Sequence, residues 1–312
     1  MDAMNGRVKN YLDYCALEKK LDQKTLRAYR CDLEQFFAWL AEKGKGFDKE
    51  ALRAYIVYLN TRYAASSAKR KLASIKSYAF YFEENEGQQN PFHGLRISIK
   101  EPKRLPRTIP IESLSELFTT LYAGGSAVCK TPYAQFRTAR DRVIFELLIA
   151  TGLRVSELCM LDNGSLSPSN KTVRIMGKGS KERVIQIENE NTIEALEAYK
   201  QKTTAIWPEW GQKRHIPLIL NRFGGRISDQ SIRSIIKHWA KAAGLSEDIT
   251  PHMFRHTFAT LLLENDVDIR YIQRFLGHSS IQTTEIYTHV ASSKMRDILK
   301  TSNPRSCLYI AR

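Results

Sequence analysis

Long apolar runs are missing from this sequence. The longest, Val143 to Ala150, carries Glu146 inside it and falls far short of the roughly 18 residues that a membrane span needs. The amino terminus, MDAMNGRVKN, has no apolar signal core, so export is not expected. Cysteine is sparse: the five residues Cys15, Cys31, Cys129, Cys159 and Cys307 are odd in number, scattered and never spaced as CxxC. That excludes a disulfide framework or a cysteine zinc site and points to reduced thiols in the cytoplasm. Acid is also short, with 33 Asp and Glu against 48 Lys and Arg, a formal charge of +15. Such an excess selects a polyanionic partner, nucleic acid before an anionic membrane surface, because neutralised phosphates release their counterions. What is present, 43% hydrophobic and 10% aromatic residues over 312, excludes wholesale disorder and can fill two domains.

The first eighty-odd residues read as four helices. Val8, Tyr11, Leu12 and Cys15 form one stripe, and Leu26, Tyr29, Leu33, Phe36, Phe37 and Leu40 a second that stops at Lys43-Gly44. Asp48 is suited to cap a third, with Ala51, Leu52, Tyr55, Ile56 and Leu59 inward. A fourth follows Ser66-Ser67, with Leu72, Ile75, Tyr78, Ala79 and Phe82 on its apolar face and Lys69, Arg70, Lys71 and Lys76 expected opposite. From 87 to 110 the periodicity lapses into EGQQNPFHGLRISIKEPKRLPRTIP, a proline-broken basic stretch that reads as a linker able to follow a phosphate backbone. The boundaries expected are therefore 1–86, 87–110 and 111–312.

Helices resume at Ile111 to Leu121, Ala139 to Thr151 and Arg154 to Leu161. Between Lys171 and Ile187 the period changes to two, around the turn Gly177-Lys178-Gly179-Ser180-Lys181, which predicts a β-hairpin within a helical domain. Further helices are expected near Asn191 to Thr204, Ser228 to Ala243, Met253 to Glu264 and Asp268 to Phe275.

Chemistry concentrates in a few places. Pro251 at a helix start sets His252 and Arg255 three apart, presenting a proton-transfer group and a guanidinium fork at an end that favours anions. Leu276-Gly277 supplies a left-handed helix stop before His278, and Tyr287 follows nine residues later. His252 and His256 have the i, i+4 spacing of a zinc helix, but no glutamate follows His252 and no cysteine cluster completes a site, so no metal is expected. No GxxxxGK[ST] loop is present, and no cofactor is called for.

Four segments, ATGLRVSEL (150 to 158), GKGSKER (177 to 183), PHMFRHTFAT (251 to 260) and LGHSSIQTTEIYTHV (276 to 290), together resemble the active-site boxes of the tyrosine recombinases, most nearly their Xer-type branch. The resemblance implies a mainly α protein: a four-helix N-terminal core-binding domain, then a mixed α/β, mostly helical catalytic domain that begins near Leu105-Pro106. It implies a catalytic set of Arg154, Lys178, His252, Arg255, His278 and Tyr287. Glu157, three residues after Arg154 on the same short helix, is either a support that holds neighbouring basic groups or a solvated carboxylate, and the basic side of the fourth helix sets Lys69, Arg70, Lys71 and Lys76 toward DNA. Physical chemistry agrees, since two planar guanidinium groups can grip the oxygens of a pentacoordinate phosphate. A phenol can attack the phosphorus and a lysine on a hairpin tip can protonate the leaving oxygen.

The implied partners are double-stranded DNA with short inverted repeats and further protomers in a homo-tetramer, or in a hetero-tetramer with a related recombinase, with no membrane, for a cytoplasmic, nucleoid-associated bacterial protein without an arm-site domain. The resemblance also implies that the tail beyond Tyr287, with Met295, Ile298 and Leu299 on one stripe, docks on a neighbouring protomer; the alternative is a tail that folds back onto its own domain. A type IB topoisomerase-like nicking enzyme and a non-catalytic DNA-binding regulator are the alternatives. Residues 124–137 and 203–217 match nothing in the family pattern.

Overall fold

A computed structural model describes residues 2–99, 107–124, 131–167, 170–176, 182–212, 215–245, 248–265, 267–277 and 298–308. Two compact units emerge, Met1–Arg104 and Leu105–Arg312.

The first unit holds α1 (Asp2–Leu17), α2 (Gln23–Glu42), α3 (Lys49–Arg62) and α4 (Ala65–Glu86). Asp22 and Asp48 cap α2 and α3, accepting from the backbone N–H groups of Thr25 and Ala51 at 2.9 and 2.8 Å; each cap satisfies a donor that the first helical turn leaves bare. Tyr11, Leu33, Phe36, Tyr55, Leu59, Ile75 and Tyr78 close the core. Past α4, Phe92 is buried against this core, and Leu95, Ile97 and Ile99 pack on it. The apolar residues from Phe92 to Ile99 in the proline-broken stretch thus stay with the first unit, whereas Ile109 is buried in the core of the second.

The second unit is built around α6 (Pro132–Thr151), which is buried along most of its length. It begins seven residues before the expected Ala139, where Thr131 caps it by accepting from Ala134 N–H at 3.2 Å. Around it lie α5 (Ile111–Ala123), α7 (Val155–Met160), α8 (Glu190–Ile206), α9 (Asp229–Ala242), α10 (Pro251–Glu264) and α11 (Ile269–Leu276). The expected hairpin forms as β2 (Thr172–Met176) and β3 (Glu182–Gln186), joined by a third antiparallel strand, β1 (Leu166–Ser167), too short to show a period. Trp210, from the 203–217 stretch, is core: its indole N–H donates to the Pro217 carbonyl at 2.9 Å and its ring meets Tyr199 edge-on.

The described part of the tail, residues 298–308, packs on its own unit, as the folded-back alternative expects; Met295 and the residues just after Tyr287 lie outside the described residues. Leu299, Asn303 and Arg305 are buried within their own unit. Arg305 Nε donates to both oxygens of the fully buried Glu146 at 2.7 and 2.8 Å, and Asn303 donates to the Ala150 carbonyl at 3.3 Å. The physical reason is charge: without Arg305, α6 would carry an unpaired buried carboxylate, which is strongly unfavourable.

Candidate active site

The turn after α6 begins the site. Gly152 ends the helix with φ of 61°, a left-handed conformation that glycine adopts without strain. A Cβ there would also stand 2.6 Å from Phe258 Cδ1. Leu153 is buried, and Arg154 then caps α7. Glu157, in the first turn of that helix, accepts from the Arg154 backbone N–H at 2.8 Å and from its guanidinium at 2.9 Å.

Arg255 comes from α10 and is buried. Its two Nη groups donate to the carbonyls of Gly152 at 2.8 Å and Leu276 at 2.5 Å. These are the C-terminal ends of α6 and α11, where the helix dipoles present negative charge to a cation. Three of the five guanidinium N–H groups remain for another partner among the described residues. Burial and the neighbouring Arg154 charge bring the Arg255 pKa down to about 10, so it remains charged at neutral pH.

Glu157 is the carboxylate that these cations share. Arg154 pairs with it at 2.9 Å, Arg183 at 2.8 Å, and Arg255 lies 4.0 Å away. Burial pushes the Glu157 carboxyl up, yet hydrogen bonds from Arg183 and Arg154 outweigh that and hold it below the ordinary carboxylate value. One negative charge faces three positive ones, leaving an excess of two beside the half-exposed Arg154. A phosphodiester in its pentacoordinate state carries that much negative charge.

Of the expected catalytic residues, the fold brings Arg154, Arg255 and the supporting Glu157 together. His252 stands exposed at the start of α10. His256 is half-buried, and burial, followed by the charges of His252 and Arg255, lowers its pKa; it favours the neutral imidazole. Lys178, His278 and Tyr287 lie outside the described residues. Arg183 is the site residue that sequence alone does not single out. It stands within the GKGSKER segment, but nothing in one sequence tells which of its basic residues turns inward.

In the first unit, one expected DNA contact is corrected. Lys71 does not lie opposite the apolar face of α4; it is buried, donating to Asp32 at 3.1 Å and to Gln35 at 2.5 Å. Its position four residues before Ile75 puts it on the inward stripe, where the buried Asp32 carboxylate needs a cation. Arg70 is half-exposed and clasps the same carboxylate, with Nη2 at 2.9 Å. Lys69 and Lys76 are exposed, and Lys76 lies 5.9 Å from the Phe80 ring centre.

The pattern described as "Phage integrase family" matches residues 126–294, and that described as "Phage integrase, N-terminal SAM-like domain" matches 8–85. A "Tyrosine recombinase" of Agathobacter rectalis is 43% identical over 310 residues, covering 98% of each chain. The chain belongs to the phage integrase family, the tyrosine recombinases. A "Tyrosine recombinase XerC" of Myxococcus xanthus, 36% identical over 98% of this chain and all of its own, sets this family member on the Xer-like branch. The tyrosine recombinase fold extends to a solved XerH recombinase, described as bound to difH substrate, with 20% identity and a TM-score of 0.67 over 93% of this chain and 82% of that one. Membership makes the chain a recombinase enzyme of site-specific recombination. Among the described residues, no helix of this tyrosine recombinase is long and apolar enough to cross a membrane.

Proposed function

We propose that the chain cuts and rejoins DNA at short inverted-repeat sites through a 3′-phosphotyrosine intermediate, working as a tetramer on two sites. The Tyr287 phenol attacks the phosphorus, its proton passing to His252. The bond from phosphorus to the 5′ oxygen breaks, and that oxygen takes a proton from Lys178. A 5′ hydroxyl from the partner strand then reverses these steps. Arg154 and Arg255 hold the non-bridging oxygens, and His278 adds a hydrogen bond to them. The energy of the phosphodiester is kept in the tyrosine ester, so neither a metal nor a nucleotide is needed.

The observation that supports this reading most is the arginine cluster around Glu157, whose excess of two positive charges suits a phosphorane. In the first unit, Lys69, Arg70 and Lys76 are our candidates for contacts to the duplex, with residues 1–86 as the DNA-clamping module and 111–312 as the catalytic one. The deciding experiment uses a nicked duplex built on repeats that the protein selects from a random-sequence library. The wild-type chain should form a denaturant-resistant adduct, and Tyr287→Phe, which keeps the ring, should form none. An adduct that persists in the variant assigns the nucleophile elsewhere and overturns the reading.

A further inference from the structure

The pairing of β2 with β3 sets Arg183 opposite Ile175, and opposed residues in an antiparallel pair share one face of the sheet. Ile175 is buried in the core of the unit, so the register turns Arg183 inward. There its guanidinium is fully engaged along one edge and at Nε. Nη1 and Nη2 donate to Oε1 and Oε2 of Glu157 at 2.9 and 2.8 Å, and Nε donates to the Phe275 carbonyl at 3.2 Å. A Cβ on Gly277 would lie 3.0 Å from Nη1, so the backbone leaving α11 runs directly over this side chain. One residue therefore fastens the hairpin strand to the first turn of α7 and to the last turn of α11.

We propose that Arg183 is a positioning residue of the strand-transfer reaction, which offsets the Glu157 charge so that Arg154 and Arg255 keep theirs for the phosphate. The inference rests on the function proposed above. Glu157 already touches Arg154 and lies 4.0 Å from Arg255. With Arg183 removed, its carboxylate has only those two cations to pair with, and the excess beside the phosphate falls from two to one. The bidentate fork also keeps Glu157 from rotating toward Arg255. Lysine cannot reproduce this, because it lacks the planar fork and the third donor that reaches Phe275.

The test measures first-order cleavage of the nicked duplex at saturating protein, together with gel-shift affinity and thermal melting. Arg183→Gln should bind the duplex within about twofold of wild type, since the side chain is largely covered, yet cleave it roughly a hundredfold more slowly, the loss typical of removing one preorganised electrostatic contact. Arg183→Lys should recover only part of that rate. Removing the surplus carboxylate as well, in Arg183→Gln with Glu157→Gln, should cleave faster than Arg183→Gln alone, a result that loss of packing would not give. A double variant equal to or slower than the single one overturns the charge-offset role, as does an Arg183→Gln protein that cleaves at the wild-type rate. Should the wild type itself form no adduct, it is the proposed function that fails, before Arg183 is tested.

Discussion

Glu146 and Glu157 stand on consecutive helices of the same unit, both buried and both answered by arginine, but they are answered differently. Glu146 meets one guanidinium, Arg305, and two hydroxyl donors, Tyr122 at 2.7 Å and Thr192 at 3.0 Å. Its charge is matched one for one, and its partner is only 2% exposed. Glu157 meets three guanidinium groups, and one of them, Arg154, keeps 36% of its side chain exposed. A matched pair closed to solvent holds chain to chain. An over-answered carboxylate that opens to solvent leaves positive charge unspent, and that surplus separates a site from a staple.

The difference breaks first at Glu146. Glu146→Ala leaves Arg305 charged and buried without its partner, a loss of about 3–5 kcal/mol. For a unit of this size that corresponds to a melting temperature lower by roughly 10 °C, read by circular dichroism. Replacing Glu146 and Arg305 together by leucine should restore much of the loss, because the uncompensated charge is then gone. A melt unchanged in Glu146→Ala would mean that the pair contributes no more than an exposed one.

Around Glu157 the larger effect should fall on rate. Arg154→Lys and Arg255→Lys keep the charge, and with it most of the affinity for duplex DNA. Each gives up bidentate contact with the transition state, worth about 3 kcal/mol or a hundredfold in cleavage. Gel shift and adduct formation should then separate. If affinity fell in step with cleavage, both arginines would be ground-state clamps and the surplus charge would serve binding alone.

The two carboxylates also mark what can be read from the sequence. Asp48 as a cap and Gly277 as a stop are local chemistry, and both stand at the expected places, with φ of 62° for the glycine. The start of α6 is hidden because Phe136 and Thr138 are the only buried residues of its first seven, too few to mark a stripe, and beyond them the helix is buried on nearly all sides, with Arg140 and Asp141 inside and Asp141 accepting from the Trp239 indole at 3.0 Å. A helix of that kind has no polar stripe from which a period can be taken. Arg154, Arg255 and Glu157 are legible because they stand in segments whose order resembles a family. Arg183 is not, since its inward turn depends on strand register, and register is a long-range property. The tail escapes a sequence reading for the same reason: Arg305 looks like a solvated cation until Glu146, far away in sequence, is seen to need it.

The first unit offers an intermediate case. Asp32 is answered by Arg70 and Lys71 and by the Ser74 hydroxyl at 2.8 Å, with Arg70 half-exposed and Lys71 covered. Only the exposed cations can reach a duplex. Lys69→Ala with Lys76→Ala should flatten the dependence of log affinity on log salt by up to about two units of slope, roughly 0.9 for each phosphate that is no longer neutralised. Lys71→Ala should leave the slope unchanged and lower the melting temperature instead. A slope that responds to Lys71 and not to the other two would show that the buried network opens on DNA.

The smallest effect expected concerns pH. Glu157 has a folded-state pKa below its ordinary value because hydrogen bonds to Arg183 and Arg154 outweigh its burial. A carboxyl depressed in this way contributes stability that is fully present above its unfolded pKa, about 4.3, and that is lost as pH falls from there through the folded value. Glu157→Gln cannot titrate, so its stability should fall less steeply on the acid side than that of the wild type. The gap between the two proteins, taken from urea midpoints at a series of pH values, should be widest above about pH 5 and should narrow with acid. Parallel curves into the acid range would mean that the arginines hold the glutamate no more tightly in the folded chain than water does in the unfolded one. The surplus of charge at this carboxylate would then lose its thermodynamic footing, and Glu157 would differ from Glu146 in geometry alone.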